Sequence, residues 1–431
     1  MKSPTRISEH ACTPKYAGTQ KGVVIKMVKE LYREVMNEIS LNVTGTRIDA
    51  IRKKNLIKCG CRVYDNGCIG IAGCYGEPTE ETWNQAIKNL EAQTPYPYEP
   101  AKGKERVRDL RNIELSEEEY IHDMERFLNI MEKEYPQFLL SNKMSLTETI
   151  TSLNNDAGLN YVNYDKTIDL SLLVKHKDSV NVMDSFLIYM SREYDFDKIL
   201  QEARNSLEGY LVNCTLEKER MPVILAPEEI IGKFAESLNG ETIGGGVSLF
   251  QDKMNTKVFH EDFTLCQNRS EEMLHVPFFD MEGTVAEGDQ VALIDHGIIK
   301  YAYTDKKVST AFSLPLTGAA GGKYDDVPAL NNPSLMISSG SKTLKELLGG
   351  ELAILAKITS GGDYTNSGDF ATPIQDAYLT DGERILGRLP ELTVTGNLYD
   401  MFGKDYIGCS CDKPFMTIPA VVINMKVELA L

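Results

Sequence analysis

No apolar run in this sequence approaches the roughly 20 residues needed to cross a bilayer, so no membrane partner is expected. The opening stretch, MKSPTRISEHACTPKY, lacks an apolar core and is not a secretory signal. Positive charge is scarce: 46 Lys and Arg stand against 63 Asp and Glu, a net charge of −17. A phosphate backbone needs a basic footprint, so nucleic acid is not expected as the main ligand. The nine cysteines include no C-x2-C pair, which removes zinc-ribbon and zinc-finger spacings. Their odd count, without framework spacing or an export signal, points to reduced thiols and a cytoplasmic location. No G-x-S-x-G nucleophile elbow occurs. Neither Gly244-Gly245-Gly246 nor the run 318–322 ends in the Gly-Lys-Ser/Thr of a phosphate-binding loop. The second run leads to Lys323 and reads as a flexible loop lining a cleft.

What is present describes an ordinary globular chain. Hydrophobic residues make up 42% and charged residues 25% of 431, enough for two or three domains with ample core. Residues 1–20 are polar and read as a loose start. Residues 22–41 read as a helix, because Val23, Met27, Leu31, Val35 and Ile39 recur every fourth position. Asn66-Gly67 is a hairpin signal between strands 57–64 and 68–75. Cys59 and Cys61 would share a face of that hairpin as buried thiols, with Cys68 and Cys74 nearby. Thr79 caps a helix over 80–90, Ser116 one running to about 135, and Asp195 one ending near 211. The proline-rich run 94–103 reads as a linker or surface loop. Alternation over 143–174 reads as strands around a turn at 154–158. The fold class is therefore α+β. An N-terminal domain, 1–211, holds antiparallel strands with helices. A β-rich C-terminal domain, 212–431, surrounds a central helix.

That helix lies in PVILAPEEIIGKFAESLNG, residues 222–240. A short apolar strand runs into Pro227, which suits a first helical turn. Glu228 and Glu229 place negative charge at the positive helix end. Ile230, Ile231, Phe234 and Leu238 form one apolar stripe, and Asn239-Gly240 reads as the stop. By its own physics this is a core helix.

The same stretch resembles the central helix of the TldD/PmbA family, whose TldD and TldE proteins were once called modulators of DNA gyrase. Further matches are the hairpin around Asp280-Met281-Glu282-Gly283-Thr284, the glycine run 359–364, the turn at Asp381-Gly382-Glu383 and the run 391–402, ELTVTGNLYDMF. The resemblance implies a division between two branches. The TldD branch carries a zinc motif, His-Glu-x-x-x-His, with a C-terminal cysteine as a further ligand. Here Glu228 and Lys233 stand at the histidine positions and Glu229 at the general-base position. Cys409 and Cys411 stand where the cysteine would fall. Neutral imidazole is what a zinc site needs, and a protonated lysine cannot ligate. The chain is thus similar to the TldE branch, which lacks the motif and pairs with a TldD subunit. By the same resemblance, no metal or other cofactor is expected in this chain, and zinc is expected in a TldD-like partner. Partners would be that catalytic subunit, a second copy as a dimer, or both, with a peptide as substrate. Gly318, Gly361 and Gly362 mark glycine-rich segments that would accept an extended peptide by strand addition. Two rivals remain. One is an autonomous metal hydrolase built from Cys409, Cys411, Glu228, Glu229 and one of His260, His275 and His296. The other is a non-enzymatic peptide-binding homodimer.

Overall fold

The computed structural model describes residues 27–331, 333–415 and 418–430. The loose start and the first part of the 22–41 helix lie outside these residues. The rest of that expected helix is a strand: β1 spans Val28–Thr44. Four is a multiple of two, so a four-residue recurrence lines up one face of a strand as well as one stripe of a helix. Pairing decides between them. β1 is bonded along nearly its whole length to β2 (Arg47–Asp65) and to β5 (Phe138–Asn155). The predicted Asn66-Gly67 hairpin joins β2 to β3 (Cys68–Tyr75), with both turn residues at positive φ, 48° and 76°. Cys59 and Cys61 are fully buried, as expected, while Cys68 and Cys74 are half-buried.

Three predicted caps are formed. Thr79 caps α1 (Glu80–Lys88), Ser116 caps α2 (Glu117–Glu134) and Asp195 caps α3 (Phe196–Leu211). Tyr96 in the proline-rich run is inside the protein, against the Tyr64 ring at 5.5 Å, so the run is more than a surface loop. The first sheet is completed by β4 (Lys104–Leu110), β6 (Leu159–His176) and β7 (Ser185–Ser191). Its order is β3-β2-β1-β5-β6-β4, with β7 also on β6.

A second, eight-stranded sheet is built from the C-terminal half. It contains β8 (Arg220–Leu225), Ala353–Thr359, Asp369–Thr380, Leu392–Asn397 and Val421–Leu429 among its strands. Helices α2 and α3 lie between the two sheets. Ile39 and Leu41 of β1 join Phe127 and Met131 of α2, Ile199 and Leu207 of α3, and Ile224, Leu355 and Val422 of the second sheet in one buried cluster. The opposite face of the second sheet covers a separate core rich in phenylalanine.

The 222–240 stretch is a strand followed by a broken helix. α4 spans Pro227–Ile230 and α5 spans Gly232–Ser237, with Ile231 between them. Phe234 is fully buried against the rings of Phe402, Phe263 and Phe259 at 4.8, 5.3 and 5.4 Å. The helix does stop here, with α5 ending at Ser237 and Leu238 as its C-cap, but the Asn239-Gly240 pair also opens another helix. Asn239 caps the next helix, α6 (Gly240–Gly244), by accepting from the Glu241 N–H at 2.8 Å. Gly240 is glycine for room, since a Cβ there would stand 2.8 Å from the Tyr303 carbonyl oxygen.

Candidate functional site

The strand Ala353–Thr359 reads AILAKIT. Period-two alternation sends Ile354 and Ala356 to the phenylalanine core and Ala353 and Leu355 to the helical layer. The next residue on the helical face is Lys357. There the layers do not close, and they leave a cavity of about 390 Å³. Its walls include Phe127, Leu187, Tyr189, Leu355, Ile385 and Phe415. Lys357 Nζ donates to the Phe186 carbonyl at 2.9 Å and to Ser206 Oγ, and lies 5.4 Å from the centre of the Tyr378 ring. Burial holds its pKa below the usual lysine value, and the charge of Asp376 opposes that shift. Asp376 itself accepts from Ser185 Oγ at 2.6 Å and is pushed up by burial. Lys357 makes no ion pair among the described residues.

Acids stand around the same cavity with more exposure. They are Glu202 of α3, Glu228 of α4 and Glu383. Partial burial raises the Glu202 carboxyl, and nearby Lys198 pulls the other way. Glu383 is ion-paired to Lys345 at 2.9 Å. Alternation made Lys357 findable in the sequence, as a charge at a core-facing position of an apolar strand. Glu202 gave no such signal, since helix α3 carries other charges on its exposed face.

The residues singled out from the sequence are distributed as follows. Glu228 lines the cavity and Glu229 follows it on α4, half-exposed. Gly362 packs on α4: a Cβ there would lie 3.0 Å from the Glu229 carbonyl oxygen and 2.4 Å from the Phe370 ring. Tyr364, just beyond, donates its hydroxyl to the Ile230 carbonyl at 3.0 Å. Gly361 stands in open space with φ of 75°. Gly318 belongs to another part of the fold, against Thr284 and Asp280, and its carbonyl accepts from Gln267.

The residues named from the sequence as possible zinc donors are placed as follows. Lys233, at a histidine position of the family motif, is 5% exposed and bonded to Glu236 at 2.8 Å. Cys409 is buried, which pushes its thiol up to about 12. Cys411 is exposed. The three histidines are engaged separately. His260 Nδ1 accepts from the Asp262 N–H, His275 Nε2 meets Thr167 Oγ1 at 2.9 Å, and His296 Nδ1 meets the Glu261 carbonyl at 2.9 Å. Among the described residues no group of three or more His, Cys, Asp and Glu side chains is placed to hold a metal ion.

A second polar cluster ties the first sheet to the C-terminal half. Asp280 accepts from the backbone N–H groups of Glu282, Thr284 and Ala320, which shapes the turn. Glu282 accepts from Tyr96 Oη at 2.7 Å and from the Lys306 N–H at 2.9 Å. Burial, with the charge of Asp280, raises the Glu282 carboxyl to about 7. Arg62, fully buried, donates to the Met281 carbonyl at 2.6 Å and pairs with Glu30.

Comparison with known proteins places this architecture. The family model for the PmbA/TldA metallopeptidase C-terminal domain matches residues 218–428. A protein named zinc metalloprotease TldD homolog, from Saccharolobus solfataricus, is 24% identical over 252 residues. That match spans about half of each protein, 55% of this chain and 56% of the relative. The crystal structure of TldE from Thermococcus kodakarensis superposes with a TM-score of 0.75 at 18% identity, over 93% of this chain and 96% of that one. A Thermotoga maritima protein named as a modulator of a DNA gyrase does so with a TM-score of 0.72 at 16% identity, over 93% and 96% of the two chains. These two structures show the same fold. No described helix is long and apolar enough to cross a membrane. With residues 218–428, about half of its length, matched by that family model, the chain belongs to the PmbA/TldD family.

Proposed function

We propose that this chain is a TldE/PmbA-type subunit of a cytoplasmic TldD/TldE-type peptidase system. It holds an extended peptide for a TldD-like partner that carries the zinc, and it has no catalytic metal of its own. The observation that carries the reading is the state of α4 and α5. Lys233 occupies a metal-ligand position of the family and is locked to Glu236, while Glu228, at the other, stands exposed on the lining of the Lys357 cavity. The helix keeps its place at the centre of the fold with the donors exchanged. Without a metal-bound water, Glu229 has no nucleophile to activate. The glycine loop over α4 leaves backbone exposed at Gly361, which suits pairing with an extended chain.

The first test is metal content of the purified, untagged chain by plasma mass spectrometry. Zinc near zero is expected. Near-stoichiometric zinc overturns the reading and moves attention to Cys409, Cys411 and the histidines. The second test mixes the chain with a TldD-type subunit. Peptide hydrolysis is expected only from the mixture, and hydrolysis by this chain alone refutes the subunit role.

A further inference from the structure

We infer that the cavity at Lys357 receives an apolar residue ending in a free carboxylate, the C-terminal residue of a peptide, with Lys357 as its counter-ion. That the ligand is a peptide rests on the function proposed above; the pairing of an apolar wall with an inner cation does not. Lys357 stands where the strand's alternation calls for an apolar side chain, following Ala353 and Leu355 on the helical face. An ammonium group has three N–H donors. Two are taken by neutral acceptors, the Phe186 carbonyl and Ser206 Oγ, which leaves one. Asp376, the acid whose field reaches it, is bonded to Ser185 and does not form an ion pair with it. A partly buried cation held only by neutral acceptors is costly, and an apolar side chain of similar length would serve stability better. An anion entering the cavity removes that cost. The volume of about 390 Å³ falls within the range of small-molecule pockets and is walled by Phe127, Leu187, Tyr189, Leu355, Ile385 and Phe415.

Charge is sorted between the inside of this cavity and its more exposed lining. Lys357 is half-buried, with its ammonium group turned inward onto the Phe186 carbonyl and Ser206 Oγ, whereas Glu228 and Glu383 are exposed and Glu202 is half-exposed. A small free anion is repelled by Glu202 and Glu228, while Glu383 is already paired with Lys345. A peptide with a basic residue before its apolar C-terminal residue satisfies both regions at once. An acyl chain with a carboxylate, such as octanoate, satisfies only the inner one.

Titration calorimetry of the full chain decides this with three probes: acetyl-Ala-Lys-Leu as free acid, the same peptide as C-terminal amide, and octanoate. The free acid is expected to bind about tenfold or more tighter than the amide, as a charge-assisted bond to a buried group implies. In Lys357→Met the two should bind alike. Equal binding of acid and amide by the wild-type chain overturns the counter-ion inference and leaves the peptide-holding role standing. Octanoate binding more tightly than the acid peptide overturns the choice of a peptide end. Failure of every probe to bind the folded chain overturns the inference, and the mixed-subunit hydrolysis assay then judges the peptide-holding role by itself. The wild-type comparison needs no variant, so it stands even where Lys357→Met does not fold.

Discussion

At the scale of single residues, two inward-facing side chains have opposite energetic characters. Phe234 fills the centre of the phenylalanine core, with four other aromatic rings within 6.0 Å. Phe234→Ala removes a large apolar group from a close-packed site and should cost about 3–5 kcal/mol. Chemical denaturation checks this by the shift in midpoint. Lys357 is the reverse case. It serves a ligand at the expense of the apo fold, so Lys357→Met should leave the thermal midpoint of the free chain unchanged or higher. A large drop in that midpoint would show that the lysine is structural.

At the scale of elements, local signals in the sequence translate directly. The Ser116 hydroxyl accepts from the Glu119 N–H, while the Glu119 carboxylate accepts from the Ser116 N–H, so each residue satisfies an orphan donor of the other. Ser116→Ala should destabilise the fold by about 1 kcal/mol, read as a shift in denaturation midpoint. Gly67 sits at φ of 76° in the β2–β3 hairpin. Gly67→Val forces a branched side chain into the left-handed region and should cost at least about 1–2 kcal/mol by the same measurement. The departure of β1 from the expected helix belongs to this scale too. Its four-residue recurrence satisfies both periods, so the sequence of the segment alone is ambiguous. The deciding bonds come from neighbouring strands such as β5, where Val35 faces Ile150 across the ladder.

At the scale of the whole molecule, the buried turn at Glu282 joins the N-terminal sheet to the C-terminal half, and its titration is a property of that junction. The folded-state carboxyl is raised from 4.5 to about 7. Below pH 4.5 both folded and unfolded chains hold the proton. As pH rises towards 7 the unfolded chain has released it and the folded chain has not. Stability from this group is therefore present at low pH and lost by about pH 7, an effect of at most about 3 kcal/mol. Denaturation midpoints of wild type and Glu282→Gln between about pH 5 and 8 check this. The wild type should lose stability relative to the variant as pH rises, and parallel curves would refute the assignment.

The sequence by itself determined the features that act over a few residues. The Asn66-Gly67 turn, the caps Thr79, Ser116 and Asp195, the apolar stripe through Phe234 and the missing histidines at positions 228 and 233 all needed no knowledge of distant segments. Their physics is local: backbone conformation, an orphan N–H, the donor chemistry of one side chain. Only the tertiary structure decided that residues 28–44 are a strand, that Asn239 starts a helix, and that Lys357 lines a cavity. The acceptors that hold Lys357 lie 171 and 151 residues away along the chain. Burial and charge compensation depend on which surfaces meet, and that information enters only when the two sheets close on the helices between them.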